Sequence, residues 1–233
     1  MPPAPNHIEV RGLARRFGQR WAVAGVHFDV KAGSGLMVTG ANGSGKTTLL
    51  RVLSTALRPQ AGTVQIGGRD LWTERVTIRE EVALVSHATR LYEDLSAADN
   101  LKAWARLGGF TVNVEAALAE TVLEPRPEPV RTYSAGMRRR LALALALSKQ
   151  PRIVLLDEPF AALDPAGREM VARVIQALKA QSVTLVIATH LPDLTRQHCE
   201  WAIHLDQGRL QWAGVPSEAP ALDMAEALGG GAI

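Results

Sequence analysis

Gly40-Ala41-Asn42-Gly43-Ser44-Gly45-Lys46-Thr47 fits the pattern G-x-x-x-x-G-K-[ST], a loop that cradles the phosphates of a nucleoside triphosphate. The glycines permit φ > 0 and let successive backbone N–H groups turn inward around phosphate oxygens. Lys46 is placed to bring positive charge to the β- and γ-phosphates, and Thr47 offers a hydroxyl to Mg²⁺. The flanks suit this role. Leu36–Thr39 reads as a short buried strand, and Lys46–Leu53 as a helix whose positive N-terminus faces the anion. A Gly/Ser turn alone would account for the glycines but not for the strand, Lys46 and Thr47 together. The candidate phosphate-binding set is Asn42, Gly43, Ser44, Gly45, Lys46, Thr47 and Thr48.

A second stretch narrows the chemistry. Ile153-Val154-Leu155-Leu156-Asp157-Glu158 is a continuous apolar run ending in two carboxylates. Strands covered on both faces, as in a parallel sheet, are apolar throughout instead of alternating. Ligands of open α/β sheets bind beyond the carboxyl ends of the strands, so Asp157 and Glu158 emerge where the phosphates lie. Asp157 suits holding Mg²⁺ through water. Glu158, one position on and pointing differently, suits polarising an attacking water as general base.

Tyr133-Ser134-Ala135-Gly136-Met137, about twenty residues before that pair, resembles the L-S-G-G-Q signature of ATP-binding cassette (ABC) ATPases. Leu163-Asp164 resembles the D-loop of that family. His190, after the strand-like Thr184–Thr189, resembles its switch histidine, and Phe17 the aromatic that stacks on adenine. His87 stands where the family has a glutamine that contacts Mg²⁺ and relays nucleotide state to a membrane partner. It joins Glu158 and His190 as a candidate catalytic residue. The resemblance spans nearly the whole chain. It implies an α/β fold with a RecA-like P-loop core, an antiparallel β subdomain and an inserted helical subdomain, binding ATP and Mg²⁺. It also implies that Ser134 and Gly136, at a helix N-terminus, close over the nucleotide of a second copy. Two chains then pack head to tail around two ATP molecules.

His87 and the following Leu91–Leu101 segment are similar to the ATP-binding subunit of the bacterial cytochrome c maturation exporter, a haem-handling complex. Exporter ATPases for drugs, lipids or polysaccharides share the architecture. A soluble ABC-type assembly factor, as in iron–sulfur cluster biogenesis, belongs to a different class of function. The first two readings imply integral-membrane permease subunits as partners and a peripheral place on the cytoplasmic side of the membrane.

Composition bounds the rest. The 233 residues fit a single domain (1–233), with 1–87 and 148–233 as nucleotide-binding core and 88–147 as the helical signature region. A net charge of +3 is mild for this size and gives no argument for nucleic acid. Arg138, Arg139 and Arg140 form the tight basic run, for which a solvated or interface-facing helix face is the default expectation. Cys199 stands alone, which leaves no disulfide framework. No apolar stretch approaches the ~20 residues of a spanning helix, and Met1–Pro5 does not read as a secretory signal. Apolar spacing through Leu101, Trp104 and Leu107, and through Val114, Leu118 and Val122, predicts two helices.

Overall fold

The computed structural model describes residues 6–86 and 91–219. Its first sheet has the order β2-β1-β4-β5, formed by β1 (Asn6–Phe17), β2 (Arg20–Lys31), β4 (Ala61–Ile66) and β5 (Arg69–Asp70), all antiparallel. The second has the order β10-β9-β3-β8-β7-β6. Here β3 (Gly35–Thr39), β6 (Val82–Val85), β7 (Ile153–Asp157), β8 (Thr184–Ala188) and β9 (Trp201–Asp206) run parallel, while β10 (Arg209–Gly214) is an antiparallel edge. β3, β7 and β8 are buried along their whole length, as their unbroken apolar sequences require.

The two faces of that parallel sheet feed different cores. Leu36 and Val38 of β3 and Leu155 of β7 pack with Leu49, Leu50, Val52 and Leu53 of α1 (Lys46–Leu53) and with Ile8, Val10 and Val26 of the antiparallel sheet. Met37, Val154 and Leu156 point the other way. They pack against Leu143, Ala146 and Leu147 of α5 (Ala135–Leu147) and Met170, Val174 and Ile175 of α6 (Pro165–Ala180). Each fully buried aliphatic side chain contributes roughly 1.5–3 kcal/mol relative to exposure.

A third cluster joins α3 (Ala97–Gly108), α4 (Val114–Glu120) and the remaining stripe of α5 through Ala97, Leu101, Leu118, Leu141, Ala144 and Leu145. The expected helices are present, but the inward face of α3 differs from the apolar spacing. Trp104 and Leu107 remain 43% and 70% exposed, and the buried face is Ala97, Asn100, Leu101 and Ala105. Small residues let α3 approach its neighbours closely, so bulk does not decide which face is buried. Two short helices complete the framework, α2 (Arg75–Glu81) before β6 and α7 (Pro192–Thr195) after β8. Among the described residues no helix is long and apolar enough to cross a membrane.

Asn100 ties α3 to the segment before it. Its Oδ1 accepts from the Tyr92 N–H at 2.9 Å, and its Nδ2 donates to the carbonyls of Tyr92 at 3.0 Å and Ser96 at 2.9 Å. Asn100→Ala takes the side-chain partner from the part-buried Tyr92 N–H and leaves the Tyr92 and Ser96 carbonyls only their backbone donors, Leu95 and residue 100. It should destabilise the protein by on the order of 1–3 kcal/mol in urea unfolding, while nucleotide affinity of the folded fraction stays unchanged.

Candidate functional site

The P-loop leaves the end of β3 through a sharply constrained turn. Gly40 has φ +143° and Gly45 has φ +112°. A Cβ on Gly45 would sit 2.2 Å from the Ala22 carbonyl oxygen of β2, and one on Gly40 would sit 2.2 Å from that of Leu205 in β9. Glycine is needed at both positions for space as well as for φ. Lys46, the first residue of α1, is buried, and its Nζ folds back to donate to the carbonyls of Gly40 at 2.7 Å and Ala41 at 3.0 Å. Burial pushes the Lys46 ammonium below its ordinary pKa, and the Glu158 and Asp157 carboxylates oppose that shift. Ser44 Oγ is buried in the loop with no hydrogen-bond partner among the described residues.

β7 delivers the two carboxylates to the same edge. Thr47 Oγ1 donates to Asp157 Oδ2 at 2.9 Å. Asp157 Oδ1 is buried and has no partner among the described residues. Burial raises the Asp157 carboxyl above its ordinary pKa, opposed by the Thr47 hydroxyl and by Lys46 and Arg139. A hydroxyl and a carboxylate side by side, one oxygen buried and unsatisfied, form a hard-oxygen donor set that fits Mg²⁺.

Glu158 follows in the left-handed region, at φ +51°. A non-glycine residue there costs on the order of 1–2 kcal/mol, so its surroundings must hold it. Its N–H donates to the Ala188 carbonyl at the end of β8, at 2.9 Å. Its Oε2 accepts from the His190 N–H at 3.1 Å and lies 2.7 Å from His190 Nδ1, a close approach outside the alignment of a hydrogen bond. Its Oε1 is 3.9 Å from Lys46 Nζ.

Arg139 corrects the expectation for the basic run. Only 8% of it is exposed, and Nη2 donates to the carbonyls of Asp157 at 3.1 Å and Glu158 at 2.9 Å, while Nη1 donates to that of Ser86 at 3.2 Å. Burial lowers its pKa, opposed by the Asp157 and Glu158 carboxylates. Arg138 and Arg140 bond the carbonyls of Tyr133 and Val122. All three arginines therefore hold the backbone of their own chain. The signal lies in helical spacing, since Arg139 falls on the stripe of Leu143, Ala146 and Leu147 that faces the parallel sheet.

A cleft of about 320 Å³ opens over the loop, lined by Phe17, Arg20, Ala22, Asn42, Gly43, Gly45, Lys46, Thr47, Thr48 and Glu158. Phe17 is half exposed, and the Arg15 guanidinium lies over its ring 5.2 Å from the centroid. Arg20, which the motif reading did not single out, brings a cation to the cleft next to Gly43. Asp157 and His190 join the cleft through Thr47 and Glu158. Ser134 and Gly136 do not line it. Ser134 caps α5, its Oγ accepting from the Met137 N–H at 3.2 Å, and it is exposed. Asp164 likewise caps α6 through the Gly167 N–H. His87 lies outside the described residues.

Gly45→Ala should be severe for two independent reasons, the positive φ and the collision with the β2 backbone. Loss of thermal stability together with loss of ATP affinity is the expected outcome, measured by thermal unfolding with and without nucleotide. Gly68→Ala, at φ +76° with open space around it, should cost stability only.

A family model for the ABC transporter matches residues 23–161. The chain is 35% identical over 224 residues to the daunorubicin resistance ATP-binding protein DrrA3 of Streptomyces coeruleorubidus, covering 94% of this chain and 71% of that protein. It is 38% identical over 188 residues to the cytochrome c biogenesis ATP-binding export protein CcmA of Nitrosococcus oceani, covering 80% of this chain and 87% of that one. The dimeric, ADP- and Pi-bound structure of the ATP-binding cassette MJ0796 has the same fold, with a TM-score of 0.82 over 90% of this chain and 98% of that one at 23% identity. With its phosphate loop, paired carboxylates and signature helix in place, the chain belongs to the ABC transporter family as an ATP-hydrolysing cassette.

Proposed function

We propose that this cassette is the motor subunit of an exporter, working in cytochrome c maturation and bound to integral-membrane permease subunits on the cytoplasmic side of the membrane. The observation that carries the motor reading is the meeting of Lys46, Thr47, Asp157, Glu158 and His190 at one edge of the parallel sheet. The cytochrome c reading is supported by the 38% identity to CcmA, which this chain covers over 87% of its length. A drug exporter is the second reading, favoured by the DrrA3 match over 94% of the chain. Trp104 and Leu107, one turn apart and exposed on α3, offer apolar surface to a protein partner. Residues 1–87 and 148–233 serve as the nucleotide core and 88–147 as the helical signature region.

In this reading Phe17 takes the adenine, and the N–H groups of the loop from Asn42 to Thr48 take the phosphates. Lys46 exchanges its bonds to Gly40 and Ala41 for the β- and γ-phosphate oxygens. Thr47 and Asp157 hold Mg²⁺, which when bound neutralises phosphate charge. Glu158 is the general base. His190 occupies Oε2, so Oε1 is the oxygen that orients the attacking water and takes its proton. His87 takes the role of the family's glutamine. Ser134 and Gly136, separate from the cleft of their own chain, complete the site of a second copy packed head to tail.

Glu158→Gln keeps the shape and loses the basicity. ATP turnover should fall on the order of 10²–10⁴-fold with binding retained, and the protein should elute from a sizing column as an ATP-dependent dimer. Wild-type turnover would place the base elsewhere. A dimer with Lys46→Ala on one chain and Ser134→Trp on the other should lose one composite site; both changes on one chain should damage both sites. Equal activity of the two arrangements would exclude site sharing. Deleting the gene in its source organism should abolish covalent haem on c-type cytochromes. Drug sensitivity with normal cytochromes would favour the second reading.

A further inference from the structure

Glu158 is held by four hydrogen bonds. Its N–H is bonded to Ala188 at the end of β8, its carboxylate to His190 just beyond, and its carbonyl to Arg139 at 2.9 Å and, more loosely, to the Ala161 N–H three residues on at 3.2 Å. The first two come from a neighbouring strand and the loop that follows it. The third comes from α5, the helix that Ser134 caps. The same guanidinium holds the carbonyls of Asp157 and of Ser86, where the chain leaves β6. One buried side chain therefore links the signature helix to the ends of two core strands.

We infer that Arg139 is a positioning residue for hydrolysis: through the Glu158 carbonyl it keeps this left-handed residue, and so its carboxylate, aimed at the attacking water. A residue at φ +51° relaxes once its surroundings stop over-determining it. Losing the Arg139 bond leaves the Glu158 carbonyl only the longer, local bond from the Ala161 N–H, so the peptide shifts and the carboxylate moves with it. The P-loop is built from β3 and α1 and has no bond to Arg139, so nucleotide binding is left intact. The inference rests on Glu158 being the general base.

The test is a double-mutant cycle on the full-length protein, with Arg139→Lys, Arg139→Gln, Glu158→Gln and their combinations. Single-turnover ATP hydrolysis, nucleotide affinity measured with a fluorescent ATP analogue in EDTA, and thermal unfolding are recorded for each. Arg139→Gln should lower the hydrolysis rate per bound nucleotide about 10–100-fold, since misplacing a reacting group by about 1 Å can cost 10²-fold. Its affinity should change less than twofold. Arg139→Lys, which keeps a donor in reach, should recover part of the rate. In the Glu158→Gln background the Arg139 changes should have no further effect on hydrolysis, because residues acting through one group are not additive. The same fold-loss in both backgrounds, or a loss confined to affinity or to the folded fraction, would overturn the inference. A fully active Glu158→Gln single mutant would instead overturn the assignment of the base.

Discussion

Two cations and two carboxylates gather at the carboxyl edge of the parallel sheet, and the arrangement around them follows from making that tolerable. Burial alone disfavours the charged forms: it lowers the pKa of Lys46 and of Arg139 and raises that of Asp157. Each shift is opposed by the opposite charges beside it. Taking an ion out of water costs several kcal/mol unless partners and hydrogen bonds replace the solvent. Here the replacements come from separate elements. Thr47 of α1 bonds Asp157, Lys46 bonds its own loop, and Arg139 of α5 bonds the carbonyls at the end of β7.

Sheet topology brings these groups together from distant parts of the chain. In the order β9-β3-β8-β7-β6, β8 separates β3 from β7, and all run in one direction. Parallel strands place their carboxyl ends at a common edge, where an open α/β sheet binds its ligands. The phosphate loop follows β3, the carboxylates end β7, and His190 follows β8. The bond from the Glu158 N–H to Ala188, and that from His190 to the Glu158 carboxylate, register the last two to within a hydrogen bond.

The features legible in the sequence are those encoded locally. The P-loop is a contiguous string, and β3, β7 and β8 announce themselves as unbroken apolar runs because both their faces are covered. Features that depend on which face of an element turns inward were harder to read. α5 is apolar on two sides, Leu141, Ala144 and Leu145 facing the helical cluster and Leu143, Ala146 and Leu147 the sheet, so hydrophobicity picks out no single inward face. Three consecutive arginines on such a helix look alike until one is placed in phase with the sheet-facing stripe. α3 misleads in the opposite way, since its largest apolar residues stay outside. β1 is a single strand of 12 residues, but register shifts between Val10 and Leu13 break its alternation.

The two-sided character of α5 has a mechanical consequence. It is a 13-residue helix with Ser134 capping its first turn and Arg139 five residues further on, a rise of about 7.5 Å. A helix packed on both faces moves as a rod, because neither core can flow around it. Contacts made at its exposed N-terminal turn, where Ser134 stands, are therefore felt at Arg139 without any intervening flexible joint. Arg139 in turn bonds the backbone of Glu158, whose left-handed conformation responds to a change in its surroundings more readily than an unstrained peptide would. If Ser134 and Glu158 have the roles proposed above, the signature end and the carboxylate are linked through one guanidinium, that of Arg139.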